Sequence, residues 1–168
     1  MNAEQILAHR GLWSSPCEKN SLKALTAAIE GGFGIETDLR DHEGRLVIAH
    51  DPPRGCDLLA AKDFFSVCAQ RGGATRLALN IKADGLQQLL KTAVAIAGVS
   101  LERIFAFDMS VPDARGYLSC SFPTYTRASQ FEPAPAFLDQ AEGVWVDDFL
   151  GDFPQVETAA KYLADGFR

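Results

Sequence analysis

Residues 34–51 read GIETDLRDHEGRLVIAHD. In an extended strand, residues i and i+2 point to the same side. Glu36 and Asp38 therefore project together, while Ile35, Thr37 and Leu39 face the other way. The segment DHEG reads as a turn, and RLVIAHD as a short second strand that places Leu46, Ile48 and His50 on one face. Two like charges this close are costly to bury unless something positive lies between them. The stretch thus predicts a strand end with a positive partner and a histidine beside it.

Outward from this hairpin the chain alternates strand and helix patterns. Upstream, QILAHRG reads as a strand ending in a glycine loop. SLKALTAAIEGG follows as a helix, with Leu22, Leu25 and Ile29 at helical spacing, Asn20 or Ser21 at its start and Gly31 or Gly32 at its end. Downstream, residues 58–70 read as helical and RLALNIKA as a strand. DGLQQLLKTAVAIAG is the clearest helix, its apolar stripe running through Leu86, Leu89, Leu90, Ala93, Val94 and Ala97 and closing at Gly98. RIFAFDMS, PTYTRAS and GVWVDDF are three further strands. Each is expected to be followed by a helical segment, the last being PQVETAAKYLADG with Pro154 in its first turn.

Alternating βα units imply an α/β protein with a parallel sheet. His9, Asp38, Lys82, Asp108, Arg127 and Asp147 all fall near the C-terminal ends of strands. Parallel α/β folds build their sites at those ends.

Composition bounds the function. The 168 residues are 47% hydrophobic and 23% charged, and suffice for one domain with a substantial core. The net charge is −6 and the pI about 5.0, with Lys and Arg scattered, which argues against a nucleic-acid surface. A small anionic substrate in a local cationic pocket remains compatible with an acidic chain. Cys17, Cys56, Cys68 and Cys120 form no C-x-x-C pair and read as free thiols of a reducing compartment. MNAEQILAHRG lacks the basic and apolar regions of a signal peptide, and no apolar run reaches the ~18 residues of a membrane span. A cytoplasmic location is expected.

Singly, a strand histidine, an E-x-D pair or a lysine means little. Their order means more: AHRG near residue 10, N-S-L opening a helix, G-x-E-T-D, then G-R-L-V-I-A-H-D and N-I-K at 80–82. This series resembles the glycerophosphodiester phosphodiesterase family, whose fold is a (β/α)8 TIM-type barrel. The matching block runs from about His9 to Asp51, with residues 80–82 extending it.

The resemblance implies a single phosphodiesterase-like domain over 1–168 acting on a small-molecule phosphodiester. His9 and His50 fall on the family's acid/base pair, without fixing which is acid and which is base. Arg10 and Lys82 fall on its phosphate-binding residues, and Glu36 and Asp38 on two ligands of its divalent cation. The positive partner is then Mg²⁺ or Ca²⁺, both oxygen-seeking ions. Asn80 stands where the family has a third metal carboxylate. An amide carbonyl still ligates a hard cation, with one negative charge fewer.

Length is a second departure. Barrels of this type need ~200 residues or more, and about six barrel strands are legible here. The resemblance therefore implies a barrel that is shortened or incomplete at the C-terminus, a natural short form or a fragment of a longer chain. Open sheet edges would invite pairing with a second copy. Two alternatives to a metal-dependent hydrolase stand beside it: a phosphate-binding module with impaired turnover, and a metal-independent phosphodiesterase or lyase.

Overall fold

The computed structural model describes residues 5–54, 58–71 and 73–168; Cys56 lies outside them. Strand β1 (Leu7–His9) leads into helix α1 (Leu22–Glu30), followed by β2 (Gly34–His42), β3 (Arg45–Ile48) and α2 (Ala61–Arg71). Then come β4 (Leu77–Ile81), α3 (Gln87–Ala97), β5 (Ile104–Phe107), α4 (Val111–Ser119), β6 (Tyr125–Ala128), β7 (Gly143–Val146) and α5 (Gln155–Ala164).

The strands β1, β2, β4 and β5 pair in that order, all parallel, with His9 opposite Glu36 and Asp38 opposite Asn80. A parallel bridge between Ala106 and Thr124 passes the order on to β6, which pairs in parallel with β7. β3 folds back antiparallel on the outer half of β2, Leu39 opposite Ile48. Among the described residues no pairing joins β1 to β7. The far side of β7 instead meets Arg168, whose carbonyl accepts from the Val144 amide at 3.1 Å.

Alternation along the strands sorts two environments. Ile35, Leu39, Leu77, Leu79 and Ile104 face the helices and are buried with Leu25, Phe64, Phe65, Leu90 and Val94. Each such side chain contributes roughly 1.5–3 kcal/mol of transfer free energy. On the opposite face, Ala78, Phe105, Phe107 and Tyr125 form a second cluster against which Leu7 and Trp145 both pack. Phe105 stacks on Tyr125 at 3.8 Å between centroids and Phe107 on Trp145 at 4.1 Å. This aromatic layer floors the face from which Glu36, Asp38, Asn80 and Lys82 project.

Helix ends follow their residues. Ser21 caps α1 by accepting from the Ala24 amide at 3.1 Å, leaving Asn20 free for another task. Gly98 ends α3 at φ +70°, a left-handed conformation that suits glycine. Three sequence expectations fail. Leu89, expected in the apolar stripe of α3, is exposed, while Leu86, Leu90 and Val94 are buried. No helix forms in 129–142 between β6 and β7, where Pro133 and Pro135 fix φ and remove backbone donors. β3 also stops at Ile48, so His50 lies beyond the strand rather than on its face. No helix among the described residues is long and apolar enough to cross a membrane.

Candidate active site

Beyond β1 the chain turns sharply: Arg10 has φ +60° and Gly11 φ +88°. A Cβ on Gly11 would sit 2.5 Å from the Ala24 carbonyl carbon, so glycine lets this loop lie directly on the start of α1. The Arg10 amide donates to the Glu36 carbonyl at 2.9 Å, tying the loop to β2. His9 and Arg10 are thereby fixed beside the two carboxylates.

Asp38 is fully buried. Its Oδ2 meets Arg10 Nε at 2.7 Å and accepts from Asn20 Nδ2 at 2.8 Å. Asn20, itself at φ +60°, also accepts from the Thr37 hydroxyl at 2.9 Å. Asp38 Oδ1 has no hydrogen-bond partner, and Lys82 Nζ stands 3.8 Å from it.

Glu36 is 4% exposed. Burial, followed by the Asp38 charge, pushes its pKa up to about 7. Its Oε1 accepts from Asn80 Nδ2 at 3.2 Å, while Oε2 is without a hydrogen-bond partner and lies 3.8 Å from His9 Nε2. Asn80 Oδ1 is likewise unpartnered. Three buried oxygens from neighbouring positions on β2 and β4, Glu36 Oε2, Asp38 Oδ1 and Asn80 Oδ1, thus lack a donor. Buried acceptors are rarely left so, and this all-oxygen set fits a hard divalent cation. Among the described residues no three His, Cys, Asp or Glu side chains assemble into a metal cluster, so the third oxygen of this set comes from an amide.

A cavity of about 440 Å³ opens over Glu36 and Asn80, with Asp38 behind its wall; it is lined by His9, Glu36, Asn80, Lys82, Asp108 and Arg127 among polar groups and by Trp145 and Phe149 among aromatics. Lys82 Nζ donates to Asp108 Oδ2 at 2.8 Å, and Arg127 donates to both Asp108 Oδ1 and Glu132. Asp147 accepts from Trp145 Nε1 at 2.9 Å, and its pKa is raised by burial. Partial burial and then the Arg10 charge hold the His9 pKa below its ordinary value. His50 stands outside the cavity lining. Its Nδ1 is 2.9 Å from Asp51 Oδ1, its carbonyl accepts from Arg40 Nε at 2.9 Å, and its charge is felt at His9.

Of the seven residues singled out in the sequence, Glu36, Asp38, Asn80, Lys82, His9 and Arg10 converge, while His50 stands apart from the cavity wall. Arg10 has its guanidinium on Asp38 and does not line the cavity. Asn20 went unread as a site residue because an Asn before a helix also reads as a cap. Asp108, Arg127 and Asp147 were legible as polar strand ends, but their mutual contacts depend on the register of three strands.

No protein-family model and no curated protein matches the chain at a significant level. Solved structures do. A protein from Galdieria sulphuraria assigned as a glycerophosphodiester phosphodiesterase superposes with a TM-score of 0.74 at 17% identity, over 96% of this chain and 81% of that one. The glycerophosphodiester phosphodiesterase from Agrobacterium tumefaciens gives 0.71 at 16%, over 97% and 84%. The chain is therefore similar in fold to these solved structures, with fewer than one residue in five in common.

Proposed function

We propose that this protein hydrolyses glycerophosphodiesters or related alkyl phosphodiesters with a divalent cation, Mg²⁺ or Ca²⁺, on a single barrel-type domain. The observation that carries the reading is the trio of unpartnered buried oxygens on Glu36, Asp38 and Asn80, of which Glu36 and Asn80 line one cavity with His9 and Lys82. Those three residues would hold the cation. When bound, it would offset the carboxylate charge and polarise the phosphoryl oxygens.

This chain's own groups supply the rest. His9 is the base: with its pKa held down it is neutral near pH 7 and free to take the proton of the attacking hydroxyl. The new P–O bond forms as that proton leaves, and the bond to the departing alcohol breaks. His50, outside the cavity wall in this structure, would turn toward the cavity to act as the acid that gives the alkoxide its proton. Lys82 neutralises charge growing on the phosphoryl oxygens. Arg10 acts behind Asp38, holding one carboxylate oxygen so that the other faces Lys82. A cytoplasmic setting is part of the proposal, on the spacing of the cysteines.

Release of alcohol from a glycerophosphocholine-type diester tests the reading. Turnover is expected with Mg²⁺ or Ca²⁺, loss in EDTA, and recovery on readding the ion. No release under any condition would leave a binding module. Release indifferent to EDTA would make the chemistry metal-independent.

A further inference from the structure

The geometry points to Arg127, rather than Arg10, as the second cationic arm that grips a phosphoryl group beside Lys82, with the Asp108 carboxylate as its built-in stand-in. This rests on the phosphodiesterase reading of the cavity.

Three cationic side chains surround the site, but only Lys82 and Arg127 line the cavity. Arg10 is committed at 2.7 Å to a fully buried carboxylate, and withdrawing it would leave that charge facing only Asn20 and a more distant Lys82. Such withdrawal is strongly unfavourable. Lys82 just past the end of β4 and Arg127 on β6, by contrast, flank β5 from either side and converge on one group. Lys82 takes Oδ2 of Asp108 and Arg127 takes Oδ1. Two cations that each hold one oxygen of a single centre form the arrangement a phosphoryl group requires.

Arg127 is aimed rather than exhausted by its neighbours. Glu132 engages Nε, at the root of the guanidinium, and the Phe149 ring lies 5.4 Å from its central carbon. Asp147 is 4.0 Å from Nη1, beyond hydrogen-bond range. A guanidinium has five N–H donors, and Glu132 and Asp108 use two. Asp108 is a residue that can yield. It sits at φ +66° at the end of β5, part-exposed beside the cavity, where a bound phosphoryl oxygen can replace its carboxylate on both cations.

Binding of inorganic phosphate to the full chain at saturating Mg²⁺, followed by calorimetry, tests this without any need for turnover. Arg127→Gln should weaken phosphate by about 10- to 100-fold, the scale of a hydrogen bond to a charged group. Arg127→Lys should recover part of the loss, keeping the charge without the fork. Asp108→Asn, which removes the competitor, should tighten phosphate. Thermal melts confirm that each variant is folded. Unchanged affinity in both Arg127 variants would overturn the inference, as would a wild type that binds no phosphate. Asp108→Asn weakening phosphate as much as Arg127→Gln would also overturn it, since Arg127 would then act only by holding Asp108. Phosphate effects as expected without turnover of any diester would support the clamp and refute the phosphodiesterase reading.

Discussion

Glu36→Gln should stabilise the metal-free protein at pH 8 and at the same time weaken its response to Mg²⁺. Glu36 is buried with Asp38 nearby, and its pKa stands at about 7 against an ordinary 4.5. The folded state therefore keeps a proton that the unfolded state releases above pH 4.5. Wherever the folded state binds more protons, stability falls as pH rises, so this group's contribution declines from pH 4.5 through pH 7. A rise of 2.5 units, from 4.5 to about 7, corresponds to about 3 kcal/mol at 1.36 kcal/mol per unit. Gln removes the ionisation while its carbonyl can still accept from Asn80 Nδ2, the bond Glu36 Oε1 makes now. Urea denaturation of both proteins in EDTA, from pH 4.5 to 8.5, isolates the term as the difference between them. The variant should match wild type at the acid end and exceed it by up to ~3 kcal/mol at the alkaline end. Adding Mg²⁺ at pH 8 should stabilise wild type more than the variant, whose site has one negative charge fewer. A difference that is flat with pH, or a variant less stable than wild type at pH 8, would refute the reasoning about this carboxylate.

Asn80→Asp should tighten Mg²⁺ by calorimetry and lower the melting temperature in EDTA, because it adds an anion beside Glu36 and opposite Asp38; equal affinity would place residue 80 off the metal. Gly11→Ala should cost about 2 kcal/mol or more in urea denaturation, since a Cβ there meets the Ala24 backbone at 2.5 Å in a left-handed conformation; a neutral effect would mean the loop is not fixed as described. General acid–base help is worth roughly 10²–10⁴ in rate and matters most for basic leaving groups. His50→Ala should therefore lose rate on an alkyl diester but little on a nitrophenyl diester, while His9→Ala should be slow on both. The opposite pattern in steady-state kinetics would exchange their roles, and near-full activity of both variants on both diesters would end the two-histidine mechanism.

The parts of the fold that were legible in the sequence are those whose signal is local. Strand alternation in 34–39 put Ile35 and Leu39 under the helices and Glu36 and Asp38 on the other face, because period-two burial leaves little else to do with that pattern. Helix α3 was legible from its 3.6-residue period, which buries Leu86, Leu90 and Val94 and ends at a left-handed Gly98, while Leu89 falls outside the buried stripe. The β6–β7 connection was not, because the βα rhythm of the units before it was carried across Pro133 and Pro135. The site divides along the same line. Residues fixed by one strand and its immediate turn, Glu36, Asp38, Asn80 and Lys82, could be placed from spacing and resemblance together. What each atom touches could not: Arg10 is a plausible phosphate ligand by position, and only the left-handed turn at residue 10 brings its Nε onto Asp38. Arg127 is the converse case. Its place at a strand end is legible in PTYTRAS, but its meaning comes from Lys82 and Asp108 at the ends of two other strands. Charge placement across a parallel sheet is a property of register, which is set by the helices packed on the far face, so the chemistry of this cavity is encoded largely in apolar residues that never touch it.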